Sequence, residues 1–145
     1  MKRRILLVDD DLAVLLTLKA VLELHGFVVD TAASTAEAFS RLESGVYQMV
    51  ITDLCMETED AGLEVVRTAR RQSYDPATAL LTAYPPSVSQ WKQDPAQCLL
   101  VKPLGTANLI RQVEALLIQH EDDKQRRIRN RPAVTAPPDA ERQAG

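Results

Sequence analysis

The sequence predicts an α/β fold in which a doubly wound, five-stranded parallel sheet carries helices on both faces. Three observations lead to this prediction. Five short apolar runs have the length of buried strands, segments with helical spacing alternate with them, and acidic residues follow the first and third runs. Such alternation implies parallel strands joined by right-handed crossovers, with ligands at the carboxyl ends of the strands.

The five predicted strands are continuous apolar runs, which suit strands covered on both faces. They comprise residues 5–8, 27–29, 49–52, 79–82 and 98–101. Each run is too short to be a helix of ordinary length.

The first two helices have clear boundaries. Apolar residues recur at spacings of three and four over residues 12–24, and Gly26 supplies a stop signal. Ser34 and Glu37 have the spacing of a capping box, in which the serine accepts from a free amide and the glutamate reaches back. The second helix is therefore predicted to begin there and to end at Gly45.

The second half of the chain has weaker patterns. A third helix is predicted around residues 63–71 and a last helix over residues 106–120. Prolines confine any helix between the last two strands to about residues 87–93. After His120 the periodicity is lost. The sequence thus predicts one domain over residues 1–120 and a disordered, partly basic tail over residues 121–145.

Composition and charge restrict the class of protein. Of 145 residues 46% are hydrophobic and 26% charged, the balance of a soluble globular domain. The net charge of −3 does not favour nucleic-acid binding, and the basic residues between 124 and 131 are interpreted as a solvated tail. We expect no signal peptide or membrane span. Two cysteines, Cys55 and Cys98, both within apolar runs, favour a reducing, cytoplasmic compartment.

Acidic residues follow two of the predicted strands. Asp9, Asp10 and Asp11 follow the first, and Asp53 follows the third. Because the carboxyl ends of parallel strands share one edge, these carboxylates should meet there and repel one another. A hard divalent cation with oxygen ligands, most simply Mg²⁺, would stabilise such a cluster.

The same edge is predicted to collect a hydroxyl and an ammonium group. Thr82 ends the fourth strand and Lys102 follows the fifth. Facing a carboxylate and a metal ion, these groups would form a site for a phosphoryl group and neutralise its charge. Asp53 could then act as the nucleophile and form an acyl phosphate.

Four other polar or thiol residues are interpreted as structural. Asp11 is expected to cap the first helix. His25 and His120 stand at helix ends, where a positive charge suits the helix dipole. Cys98 is expected in the core. None of these residues is assigned to catalysis.

Four segments resemble, in order and approximate spacing, the signature blocks of bacterial response-regulator receiver domains. They are residues 7–11, 51–56, 81–84 and 101–104, and the resemblance covers about residues 3–119. It implies the flavodoxin-like strand order 2-1-3-4-5. It also implies a switch in a two-component phosphorelay, not an enzyme that turns over an external substrate, and the switch is expected to stand alone, without an effector domain.

The resemblance assigns roles at the acidic edge. Asp53 would be the phosphoacceptor. Asp10 and the backbone carbonyl of Cys55 would bind Mg²⁺ directly, together with Asp53, and Asp9 would act on the ion largely through water. The phosphoryl donor would be a sensor histidine kinase or a histidine phosphotransfer protein.

The remaining implied roles concern the phosphoryl group and the output. Thr82 would hydrogen-bond the phosphoryl group and Lys102 would pair with it. The bond between Lys102 and Pro103 is expected to be cis. Output would pass through contacts with an unknown downstream protein, without a membrane and without direct nucleic-acid binding.

The sequence departs from the family pattern at several positions. Glu57 stands where a proline is usual, and residues 60–62 carry one residue more than the usual Asp-Gly pair. The loop after Asp53 is therefore expected to follow an unusual path, and its acids Glu57, Glu59 and Asp60 could either draw metal or repel a phosphodonor. Leu99 replaces an aromatic switch residue. Tyr84 borders the expected path of the hydrolytic water, where its bulk could slow dephosphorylation. An equally supported interpretation is a surface ring packed on Pro85 or Pro86.

Two alternative functions remain open. A degenerate receiver could act as a constitutive protein-binding adaptor, which the altered loop and the missing aromatic would favour. A small hydrolase or nucleotide-binding protein of similar topology has less support. The sequence has only five glycines and no Gly-rich phosphate loop, and no second aspartate two residues after Asp53.

Overall fold

The computed structural model describes residues 2–54, 56–58, 61–82, 98–101 and 105–129; for Thr82 and residues 98–101 it describes the backbone alone. Several predictions from the sequence lie outside these residues. They are the helix at residues 87–93, the cis bond between Lys102 and Pro103, and the character of residues 130–145.

The described chain alternates strands and helices as predicted. The strands are β1 (Arg4–Val8), β2 (Val28–Ala32), β3 (Met49–Asp53), β4 (Ala77–Thr82) and β5 (Cys98–Val101). The helices are α1 (Leu12–Leu24), α2 (Thr35–Ser44), α3 (Ala61–Arg70) and α4 (Thr106–Arg129). Among the described residues, no helix is both long and apolar enough to span a bilayer.

All five strands form one parallel sheet in the order β2-β1-β3-β4-β5. The predicted fold class and strand order are therefore confirmed. Val8 pairs with Thr52, and Thr82 pairs with Val101. This register brings the carboxyl ends of β1, β3, β4 and β5 to one edge of the sheet.

Two apolar layers cover the sheet. Alternate residues of β1 point to opposite faces, so Ile5 and Leu7 belong to one layer and Leu6 and Val8 to the other. The first layer takes its helical residues from α1 and α4, the second from α2 and α3. The prediction of helices on both faces is thus confirmed.

The predicted helix caps are present. The Asp11 carboxylate accepts hydrogen bonds from the amides of Ala13 (3.0 Å) and Val14 (3.4 Å) at the start of α1. At α2 the Ser34 hydroxyl accepts from the amide of Glu37 at 3.1 Å, and the Glu37 carboxylate accepts from the amide of Ala33 at 2.6 Å. These bonds satisfy backbone donors that a helix leaves free.

The prediction of a disordered tail from residue 121 is wrong for residues 121–129, because α4 continues to Arg129. Tertiary contacts to the loop between α3 and β4 hold this extension. Lys124 Nζ donates to the backbone carbonyl of Tyr74 at 3.2 Å, and Arg127 pairs with the Asp75 carboxylate at 2.9 Å. Because these contacts are polar, residues 121–129 lack the helical spacing of apolar residues from which a helix is predicted in a sequence.

A polar cluster lies between β1, β2 and the start of β3. The Asp30 carboxylate accepts from Arg4 at 2.8 Å and from the Tyr47 hydroxyl at 2.7 Å. Burial works to raise the pKa of Asp30, but the hydrogen bonds from Tyr47 and Arg4 outweigh it and hold that pKa below its ordinary 3.8. Burial and the same bond to Asp30 raise the pKa of the Tyr47 hydroxyl.

The lowered pKa of Asp30 predicts a loss of stability in acid. A carboxyl with a lower pKa in the folded than in the unfolded chain stabilises the fold above its unfolded-state pKa, and this contribution is lost as pH falls through the folded-state value. Urea unfolding of Asp30→Asn should show a smaller drop in the free energy of unfolding between pH 6 and pH 3 than wild type. Equal drops in the two proteins would contradict the assignment.

Candidate functional site

Three carboxylates meet at the carboxyl edge of the sheet, as predicted. One ligand oxygen each of Asp9, Asp10 and Asp53 lies within 4.8 Å of the others. Asp53 ends β3, and Asp9 and Asp10 follow β1, whose last residue pairs with β3 next to Asp53. Asp9 is only 3% exposed, Asp53 is partly buried, and Asp10 is exposed.

The backbone holds Asp9 at this edge. Its amide donates to the carbonyl of Ala32 at 3.1 Å, which ties it to the end of β2. Its carboxylate accepts from the amide of Asp11 at 3.0 Å. The carboxylate of Asp11, two residues after Asp9, caps α1 and is not part of the carboxylate cluster.

The donor set fits a hard divalent cation. Three carboxylates close together repel one another, and a cation between them would offset this repulsion. Oxygen ligands from carboxylates are those that Mg²⁺ prefers. Asp9, Asp10 and Asp53 could therefore hold Mg²⁺.

The other predicted site residues are described in part or not at all. Thr82 is the last residue of β4, and Leu81 beside it pairs with Asp53, so the backbone of Thr82 reaches the same edge. Lys102 and Cys55 lie outside the described residues. Their roles, and those of Tyr84 and the Leu99 side chain, stay predictions.

Glu57 does not join the carboxylate cluster. Its carboxylate accepts from the backbone amide of Thr35 at 3.0 Å and from the Thr35 hydroxyl at 3.1 Å. Hydrogen bonds from its own amide and from that of Thr35 lower the pKa of Glu57. The expectation that Glu57 could draw metal therefore has no support here, while Glu59 and Asp60 lie outside the described residues.

Gly62 is a site residue that the sequence reasoning missed. It lies in the first turn of α3, and its amide donates to the carbonyl of Leu54 at 2.8 Å. A Cβ atom at this position would lie 2.1 Å from the backbone oxygen of Asp53 and 2.7 Å from Cα of Leu54. The sequence signal for this close contact was a glycine one residue inside a helix. Glycine is unfavourable inside a helix, so its presence there indicates that another part of the chain approaches closely.

The sequence matches the response regulator receiver domain family over residues 5–114. The chain belongs to this family. The matched receiver region contains the three clustered aspartates and all five strands from Ile5 onward, and it ends within α4.

Curated relatives of this receiver domain are transcriptional regulatory proteins. The CpxR homolog of Haemophilus influenzae is 33% identical over 116 residues, which cover 79% of this chain and 50% of that protein. BasR of Escherichia coli is 30% identical over 121 residues, covering 82% of this chain and 54% of that protein. The chain spans about half the length of these two relatives.

Solved structures share the receiver fold. A CheY-like response regulator receiver domain protein from Methanospirillum hungatei has a TM-score of 0.77 at 24% identity, over 85% of this chain and 99% of that one. The chemotaxis protein CheY4 of Vibrio cholerae has a TM-score of 0.73 at 25% identity, over 80% and 99% of the two chains. At these identities the likeness concerns the fold.

Proposed function

We propose that this receiver domain is the phosphoacceptor of a two-component phosphorelay and that Asp53 takes the phosphoryl group from a phosphohistidine. The observation that supports the proposal is the carboxylate cluster of Asp9, Asp10 and Asp53 at the end of parallel strands in a chain of the receiver family. Asp53 ends β3 and is partly exposed, so a donor can reach it.

In the proposed reaction one carboxylate oxygen of Asp53 attacks phosphorus. The phosphorus–nitrogen bond of the donor breaks, and its ring nitrogen keeps the electron pair. Because the donor ring carries a proton on its other nitrogen, neutral imidazole leaves, and an acyl phosphate forms on Asp53. Thr82 would donate a hydrogen bond to the phosphoryl oxygens and Lys102 would pair with their charge. The chain would take up and release this group without acting on another substrate.

Asp10, Asp53 and the backbone carbonyl of Cys55 would bind Mg²⁺ directly, and Asp9 would act on the ion largely through water. When bound, the ion would neutralise negative charge on the oxygens of the phosphoryl group. Because Asp9 is buried and its carboxylate accepts a hydrogen bond from the amide of Asp11, the position of this carboxylate is restrained by the protein itself.

The donor is proposed to be a protein, either a sensor histidine kinase or a histidine phosphotransfer protein. Leu12 and Leu16 lie in the first turns of α1, which begins two residues after Asp10, and they are 65% and 57% exposed. A protein that brings its histidine to Asp53 would cover them and gain apolar burial. Signalling would take place in the cytoplasm and leave the domain through contacts with a further protein.

The proposal predicts a single modification by a small phosphoryl donor. Acetyl phosphate with Mg²⁺ should add one phosphoryl group to the wild-type protein, as measured by intact mass spectrometry, and none to Asp53→Asn. The matched control is Asp11→Asn, because asparagine caps a helix as well as aspartate does. This variant should be modified like wild type.

Two results would count against the proposal. Modification of Asp53→Asn to the wild-type extent would place the phosphoryl group elsewhere. A wild-type protein that accepts no phosphoryl group from acetyl phosphate or from a phosphohistidine protein would instead favour a degenerate receiver that acts as a constitutive adaptor.

A further inference from the structure

One contact joins the loop after Asp53 to a different helix. A single carboxylate oxygen of Glu57 accepts two hydrogen bonds from Thr35, from its amide at 3.0 Å and from its hydroxyl at 3.1 Å. The partners are 22 residues apart in sequence. Thr35 is the first residue of α2, so the contact links the loop between β3 and α3 to the start of the neighbouring helix.

The position of Thr35 favours a carboxylate. The first amides of a helix have no partner within the helix, and the helix dipole makes this end positive. The Ser34 hydroxyl accepts its hydrogen bond from the amide of Glu37 and not from the amide of Thr35. Glu57 supplies the acceptor from outside α2, and the Thr35 hydroxyl adds a second donor in the same direction.

The other end of this loop is held as well. The Gly62 amide donates to the carbonyl of Leu54 at 2.8 Å, and the closeness of Gly62 to the Asp53 backbone places the start of α3 against the end of β3. Between these ends the Met56 amide donates to the carbonyl of Thr58 at 3.1 Å. The two hydrogen bonds between Glu57 and Thr35 attach this turn to the start of α2, and Met56 packs against the apolar cluster that includes Ala38 and Leu42 of the same helix.

We propose that Glu57 is a positioning residue: through Thr35 it holds the loop that follows Asp53 against α2 and so sets the backbone beside the carboxylate cluster for the cation. This inference rests on the proposed function as far as the cation is concerned. The restraint on the loop does not, because it concerns the chain without any ligand. Glu57 itself would touch neither the cation nor the phosphoryl group.

A change at Thr35 separates this positioning role from a simple effect of charge. Thr35→Pro removes both donors and leaves the Glu57 carboxylate in place. Proline is favoured at the first position of a helix, and the extended backbone of Ser34 (φ −155°, ψ 166°) suits a residue before proline. The substitution should therefore leave α2 intact, which circular dichroism can verify.

The companion variants are Glu57→Ala, which removes charge and contact, and Glu57→Gln, which removes the charge and keeps an acceptor. Glu64→Ala is the matched control. Glu64 is an exposed acid in the first turn of α3, so its replacement by alanine removes the same charge from the same neighbourhood. Thr35→Val is the reserve variant for Thr35, since it removes the hydroxyl alone.

The first measurement is amide hydrogen exchange in EDTA. Exchange at Met56 and Gly62 should be about 5- to 10-fold faster in Glu57→Ala and in Thr35→Pro than in wild type, because the loop opens locally more often. Glu57→Gln should lie closer to wild type, and Glu64→Ala should match it. Unchanged exchange in both Glu57→Ala and Thr35→Pro would overturn the proposal.

The second measurement is a calorimetric titration with Mg²⁺. Residues that orient a metal site from outside it change affinity by about 10- to 100-fold, and an exposed tether should lie at the lower end of that range. We expect Glu57→Ala and Thr35→Pro each to weaken binding about 10-fold, and the double variant to weaken it no further. Wild-type affinity in Thr35→Pro beside weak binding in Glu57→Ala and Glu57→Gln would show a charge effect and overturn the positioning role.

Failure of the two proposals can be told apart. If the wild-type chain binds no Mg²⁺, the proposed cation site is wrong, and with it the claim that Glu57 prepares that site. The exchange measurement then decides the restraint on the loop by itself. If wild type binds Mg²⁺ and every variant binds it equally, only the role of Glu57 is wrong.

Discussion

Gly62→Ala is expected to lower the free energy of unfolding by about 3 kcal/mol, the upper part of the range for overpacking. The added Cβ would lie 2.1 Å from the Asp53 oxygen, 2.7 Å from Cα of Leu54 and 2.9 Å from the Asp53 carbonyl carbon. All three are backbone atoms, so no side chain can rotate away. Alanine favours a helix by about 1 kcal/mol over glycine, which the clash must exceed. Urea unfolding measures the difference.

Gly105→Ala is the matched control for Gly62. Within the part of the chain that the structure describes, a Cβ atom at Gly105 would meet no atom within 4 Å apart from the glycine's own chain neighbours, and Gly105 precedes α4. Its replacement should change the free energy of unfolding by less than about 1 kcal/mol, the scale of a helix-cap preference. If Gly62→Ala proved as stable as Gly105→Ala, the close approach of α3 to Asp53 would be disproved.

His120→Ala should lower the free energy of unfolding by about 2 kcal/mol. His120 is 4% exposed, and its Nε2 atom lies 2.8 Å from the backbone carbonyl of Asp75. Because a carbonyl only accepts, Nε2 must carry the proton and donate. Alanine would remove this bond, worth about 1 kcal/mol, and the packing of a buried ring. Amide exchange in residues 121–129 should also become faster.

His25→Ala is the corresponding control at the end of α1. His25 is exposed, and its ring makes a local contact, with Nδ1 3.0 Å from the carbonyl of Val21. Its loss should cost less than about 1 kcal/mol, as for a bond that water can replace. Equal destabilisation by the two histidine variants would mean that the contact with the Asp75 loop contributes little.

Local patterns were sufficient for most of the fold. Residues 12–24 form a helix as their spacing predicts, and Asp11 and Ser34 cap helices because a cap involves only the next three residues. The meeting of Asp9, Asp10 and Asp53 could also be predicted. Parallel strands share one carboxyl edge whatever their side chains, so strand ends alone place these residues together.

Contacts between distant segments could not be predicted in this way. The helical end of α4 depends on Lys124 and Arg127, whose partners lie in the loop before β4. In the sequence these residues form a basic run without apolar period, which is typical of a tail. For the same reason, the sequence led to the same interpretation for His25 and His120, a structural residue at the end of a helix. Only the fold shows that His120 is buried against Asp75 while His25 is exposed.

The sequence by itself determined the order of strands and helices and the three carboxylates of the site, because both follow from local periodicity and from the geometry of parallel strands. Only the tertiary structure decided how the loop after Asp53 is held. Glu57 binds Thr35 across 22 residues, and Gly62 fits because the Asp53 backbone leaves no space for a Cβ atom. Such contacts depend on distances between segments that no local pattern encodes.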